Sequence, residues 1–229
     1  MLDRPSPAPT AFRASDAAPL LMLPGTLCDA RLYARVLDRM GLKATVPALA
    51  GAETAAALAQ LILANAPERF SLCGFSLGAI VALEIIAQAP DRVERLALIG
   101  CNPGTLDPKA RATRAALPQS DFANLDDVPL VHLMANAASA ETYRQQTAIT
   151  LSRSDSRARL SRIAVPALVL CGACDRICPP TLSIAIADAI PGARLALVSG
   201  AGHYVTLERP EAVADELSAW LATPTRSTH

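Results

Sequence analysis

Gly74-Phe75-Ser76-Leu77-Gly78 sets a serine between two glycines, where an apolar run (69–76, RFSLCGFS) meets a helix-patterned one (77–89, LGAIVALEIIAQA). This spacing suits a strand that turns into a helix within one residue. The turn strains the serine backbone and lifts its Oγ clear of the sheet. The flanking glycines let the two backbones close on each other. The N–H of Leu77 then opens the helix and points toward any oxyanion that develops, a direction the helix dipole favours. The chemistry implied is nucleophilic attack by Ser76 on a carbonyl.

A serine alcohol is a poor nucleophile until a base takes its proton. Of the three histidines, His229 ends the chain and His132 lies in a mixed polar stretch, where it reads as a structural or lid residue. His203, in SGAGHYVTLERP, follows the last strand-like run in a Gly-rich loop, and is the candidate base. The imidazole needs a carboxylate to fix its tautomer. Asp175 comes just past the apolar run 165–171, whereas Asp188 falls inside a predicted helix and Asp126 and Asp127 lie in the mixed stretch. The order Ser76, Asp175, His203 differs from the two other familiar triad orders.

Elements must carry these groups. Short apolar runs alternate with helix-patterned ones, as a mostly parallel α/β sheet requires. Six strands are predicted: 19–25, 44–48, 69–76, 93–100, 165–171 and 193–199. Helices are predicted over 29–40, 54–66, 77–89, 181–189 and 210–222, with Pro210 in a first turn that tolerates it. Residues 103–161 break the rhythm, with helical fragments at 129–137 and 140–151, and read as an inserted helical lid. The expected organisation is one domain over 19–222, a flexible leader over 1–18 and a flexible tail over 223–229.

Composition narrows the class. A hydrophobic fraction of 52% with 18% charged residues describes a filled core, and a formal net charge of +0 gives no reason to expect a nucleic-acid partner. Apolar runs such as 58–64 fall far short of the roughly 20 residues of a membrane span. The first nineteen residues contain no apolar signal core. A cytoplasmic protein with reduced cysteines is therefore expected. Three of the six cysteines crowd into 171–178, CGACDRIC. A zinc site would need a fourth ligand, and Cys28, Cys73 and Cys101 form no second knuckle. We read the segment as a loop built around Asp175, with Cys171 buried in the strand. Cys174, beside Asp175, is a candidate for oxidation that would disturb the acid.

The sequence resembles the α/β-hydrolase superfamily, and within it the small soluble serine esterases and lactonase-like members, from about Pro19 to Ala222. The resemblance is carried by LLMLPGTLCDARLY, CGFSLGAIVALE, PALVLCGACDRICPP and GAGHYVTLERPEAV. It implies a Ser76-His203-Asp175 triad that cleaves a carboxylic ester or lactone through an acyl-enzyme, with no metal or organic cofactor. It also implies a second oxyanion N–H from Thr26, or from Leu27 as runner-up. Some relatives carry the acid after the strand that follows the elbow; Asn102 stands there and cannot hold the charge. The family's usual His-Gly is Pro24-Gly25 here, and its N-terminal strands are missing, which implies a sheet edge shortened or covered by a partner subunit. Carbon–carbon bond hydrolysis, perhydrolysis and a non-catalytic receptor use the same scaffold. Leu27, Phe75, Leu106, Leu133, Met134 and Tyr204 are the candidate pocket residues, and suit a small to medium substrate. Oligomeric state is not legible.

Overall fold

A computed structural model describes residues 18–123 and 128–225. Asp126, Asp127, His229 and all but the last residue of the expected leader lie outside the described residues.

Five strands form one parallel sheet in the order β1-β2-β3-β4-β5: β1 (Leu20–Leu23), β2 (Phe70–Phe75), β3 (Val93–Ile99), β4 (Ala167–Gly172) and β5 (Arg194–Val198). Each crossover moves one place along the sheet, so all five carboxyl ends open on the same side.

The sixth expected strand, 44–48, is reduced to a single bridge of Thr45 to Leu21. Thr45 N donates to Leu20 O and Met22 N donates to Thr45 O, both at 2.9 Å. The next donor along a parallel ladder would be residue 47, two positions on. Pro47 has no N–H, so pairing stops.

Side chains alternate across the pleat, and both faces of the sheet are covered, which is why apolar residues dominate β1 to β4, broken only by Ser71 in β2 and by Glu94 and Arg95 in β3. Leu21, Leu23, Leu72, Leu96, Leu98 and Val169 face one layer. That layer comprises α2 (Ala55–Asn65), α3 (Leu77–Gln88) and α8 (Pro180–Ala189). Leu20, Met22, Cys73, Ala97, Leu168 and Leu170 face the other. There α1 (Ala34–Met40) packs on α10 (Pro210–Leu221), next to the short α9 (Val205–Glu208). Caps follow the sequence signals. The Asp29 side chain accepts from Arg31 N at the 3-10 turn that leads into α1, and Thr54 Oγ1 accepts from Ala57 N at 3.2 Å at the start of α2.

Between β3 and β4 the chain forms α4 (Pro108–Ala116), α5 (Gln119–Ala123), α6 (Pro129–Ala137) and α7 (Ala140–Ser152). Helices α4 and α7 pack together, as do α5 and α6. All six cysteines are free thiols. No helix among the described residues is long and apolar enough to cross a membrane.

Candidate active site

Ser76 stands between β2 and α3 with φ 52° and ψ −111°, a left-handed strain that few non-glycine residues adopt. Its N–H donates to Ile99 O at 2.9 Å, tying the turn to β3. The two glycines are required by contact. A Cβ on Gly74 would sit 2.4 Å from Gly78 O, and one on Gly78 would sit 2.2 Å from Leu23 O.

His203 follows β5 and is buried, with its ring between Phe75 (centroids 5.0 Å apart) and Tyr204 (5.4 Å, edge-on). Its Nε2 lies 3.1 Å from Ser76 Oγ and its Nδ1 lies 2.8 Å from Asp175 Oδ2. A carboxylate can only accept, so Nδ1 carries the proton and the Nε2 lone pair faces the serine. Asp175, after β4, is fully engaged: Oδ1 accepts the N–H groups of Ile177 and Cys178, each at 2.8 Å. These bonds fix the plane of the carboxylate, and the carboxylate fixes the imidazole.

Ser76, Leu77, Thr26 and His203 share one cavity of about 200 Å³. Neither the Leu77 N–H nor the Thr26 N–H makes a backbone or side-chain hydrogen bond among the described residues, so both are available to an oxygen in the cavity. Leu27 differs. Its N–H donates to Gln146 Oε1 at 2.8 Å, and its φ is 55°. Gln146 is buried and passes its own Nε2–H to Leu49 O at 2.9 Å. The runner-up oxyanion donor is thus already occupied.

Of the expected pocket residues, Phe75, Leu106 and Tyr204 line the cavity; Leu27, Leu133 and Met134 do not. Leu27 is buried against Ala135. Leu133 is 60% exposed, on the outer face of α6. Met134 is in the core, where its Sδ accepts from Asp29 N at 3.4 Å. One step along a helix turns a side chain by about 100°, so neighbours in α6 cannot both face inward. The cavity also takes residues that the sequence did not assign to it: Ile177, Cys178, Thr150, Arg114 and Arg153. Those after Asp175 follow from its loop. The arginines come from the stretch without periodic pattern, where no local signal marks them.

Cys174, the expected redox residue, is exposed, and it is Cys178 that borders the cavity. Burial pushes the Cys178 thiol well above its ordinary range, with the Asp175 carboxylate adding to the effect. Among the described residues no three of His, Cys, Asp or Glu are grouped to hold a metal. A larger cavity of about 400 Å³, floored by Leu83, Ile86, Val93 and Ile163, opens at the amino ends of β3 and β4. It contains no member of the Ser76 relay. The smaller cavity sits at the carboxyl ends, where open α/β sheets place their sites.

Residues 7–216 match a family model described as the alpha/beta hydrolase family. A pimeloyl-[acyl-carrier protein] methyl ester esterase of Aromatoleum aromaticum is 27% identical over 213 residues, covering 75% of this chain and 84% of that one. Among solved structures, a thermophilic esterase from Thermogutta terrifontis superposes with a TM-score of 0.75 at 21% identity, covering 89% of each chain. An enol-lactonase from Burkholderia xenovorans does so with 0.75 at 20% identity, covering 92% of this chain and 94% of that one.

Proposed function

Because this chain belongs to the alpha/beta hydrolase family, we propose that it is a serine hydrolase that cleaves a small carboxylic ester or lactone through an acyl-enzyme on Ser76. The observation that carries the reading is the relay from Ser76 Oγ through His203 Nε2 at 3.1 Å and from Nδ1 to Asp175 Oδ2 at 2.8 Å. The esterase among its sequence relatives supports the same class of bond.

In this reading Ser76 Oγ attacks the carbonyl carbon as His203 Nε2 takes its proton, and the carbonyl π pair moves onto oxygen. The N–H groups of Leu77 and Thr26 hold that oxyanion, the helix dipole of α3 reinforcing the first. Collapse breaks the bond to the leaving alcohol, which takes the proton back from His203. Water then adds to the acyl carbon as His203 takes its proton; collapse breaks the acyl–Oγ bond, His203 returns the proton to Ser76 Oγ, and the acid departs. Asp175 stays ionised throughout and stabilises the imidazolium. The helices between β3 and β4 act as a cap: Leu106, Leu117 and Phe122 border the cavity, and its volume of about 200 Å³ suits a short acyl chain.

The test is hydrolysis of p-nitrophenyl esters from acetate to octanoate by wild type and Ser76→Ala, with circular dichroism to verify that both fold. Turnover lost in the variant, with a short-chain optimum in wild type, supports the reading. Turnover retained by Ser76→Ala overturns it.

A further inference from the structure

Two guanidinium groups border the triad cavity, and among the described residues no carboxylate neutralises them. Arg114, on α4, donates Nη1–H to Tyr143 Oη at 2.8 Å and lies over the rings of Phe122 and Tyr143, with centroids 4.8 and 4.9 Å away. Arg153, just past α7, donates Nε–H to Gly104 O at 2.7 Å. In both, Nη2 is buried and has no hydrogen-bond partner. Arg69, Arg144, Arg159 and Arg194 each meet a carboxylate, but among the described residues neither cavity arginine does.

The neutral groups around Arg153 do not supply the missing charge. Cys101 and Cys178 are its close neighbours, and burial pushes the Cys101 thiol up to about 12 and that of Cys178 further still. Both are uncharged near neutral pH, while a guanidinium keeps its proton. Burying a cation without a partner is costly, and an orphaned Nη2 adds to that cost. A fold that holds two such groups at one cavity, one braced by two aromatic rings and one by a backbone carbonyl, has prepared them for a ligand.

We propose that Arg114 and Arg153 bind a carboxylate at the far end of the substrate, so that the preferred ester or lactone is that of a short dicarboxylic acid. Both arginines line the cavity, and each keeps an Nη2 without a hydrogen-bond partner among the described residues, so both have donor capacity left for a carboxylate. The cavity of about 200 Å³ limits the spacer between the two carbonyl carbons to a few methylenes. The inference rests on the ester-hydrolase reading for which end reacts; the anion site itself does not depend on it.

The experiment compares mono-p-nitrophenyl succinate, glutarate and adipate with uncharged p-nitrophenyl alkanoates of matched length, using wild type, Arg114→Gln, Arg153→Gln, Arg153→Lys and Ser76→Ala. Wild type should prefer the best charged ester by roughly 10- to 100-fold in kcat/KM, mainly through KM, as charge-assisted hydrogen bonds require. That preference should shrink as salt rises. It should collapse toward unity in either Gln variant and survive in part in Arg153→Lys. A wild-type ratio at or below one for every length overturns the proposal while leaving the esterase reading intact, and this decides even if the variants misfold. If no ester turns over, calorimetry of the three free diacids with wild type decides instead. Binding that is lost in Arg153→Gln upholds the anion site while the esterase reading falls; absence of binding overturns both.

Discussion

Gln146 and Leu27 are 119 positions apart in the chain, yet Gln146 Oε1 accepts the Leu27 N–H at 2.8 Å. The same amide donates to Leu49 O, so one buried side chain on α7 ties down the loop after β1 and the segment before α2. Leu27 has a positive φ, a conformation its side chain disfavours and this bond helps to hold. The neighbouring Thr26 N–H is the proposed oxyanion donor, so its aim depends on that clamp. In Gln146→Leu, a buried N–H and a buried C=O both lose their partner, at about 1–3 kcal/mol each. We expect a lower urea midpoint, and a kcat reduced about tenfold or more in the protein that remains folded.

The glycines of the elbow and the glycines of surface turns should respond differently to alanine. A Cβ at Gly78 would meet Leu23 O at 2.2 Å, a contact that only backbone movement relieves. Gly192 has a φ of 73° but nothing within 4 Å of its would-be Cβ. Gly78→Ala should therefore leave little soluble protein. Gly192→Ala should lower stability by about 1–2 kcal/mol and leave turnover in place. Soluble yield and thermal melting distinguish the two.

Asp175→Asn should give a folded but nearly inactive protein. The Asn oxygen can keep the two N–H bonds from Ile177 and Cys178, which turns the Nδ2–H₂ group toward His203 Nδ1. Nδ1 must then accept, Nε2 carries the proton, and the imidazole can no longer take one from Ser76. A fall in kcat of about 10⁴ is expected with an unchanged melting temperature. Asp175→Ala, which leaves both amides unsatisfied, should melt earlier as well.

Thiol chemistry offers a fourth check. Of the six cysteines only Cys174 is exposed. An aromatic disulfide reagent at pH 8 should modify one thiol per folded chain quickly and all six in denaturant, because buried thiols stay protonated and unreached. The sign of the pH effect on stability follows. Burial raises Cys28, Cys73 and Cys101 from the ordinary 9.0 to about 12 in the folded chain. Unfolded thiols therefore release protons first. Stability is intact below about pH 9 and falls from there toward 12, by up to about 1.4 kcal/mol per pH unit for each thiol. Alkaline urea titrations would reveal the slope; a midpoint constant from pH 8 to 11 would contradict it.

How much of this could be read from residues alone depends on range. Ser76 announces itself through glycines two positions away, and His203 and Asp175 through their places after apolar runs. Helix starts at Asp29, Thr54 and Pro210 are equally local. The strand expected at 44–48 stops after one bridge, because Pro47 has no N–H to continue the ladder. Leu133 and Met134 could not be told apart because the period of α6 is legible but its rotation is set by what it packs on. Gln146, Arg114 and Arg153 carry no signature at all. Their meaning lies in partners over distances in sequence that no spacing rule spans, or in the lack of a partner.

The sheet order has a consequence for how such a molecule can change. Ser76, Asp175 and His203 leave from β2, β4 and β5, and Thr26 from β1, whereas the long connection after β3 supplies Arg114, Gln146 and Arg153. In the proposed reading, the groups that break the bond and the arginines that select the substrate thus lie in separate stretches of one chain. The connection can be exchanged or diversified as a cassette without moving a single member of the relay, on one condition: whatever replaces it must bring an acceptor back to the Leu27 N–H.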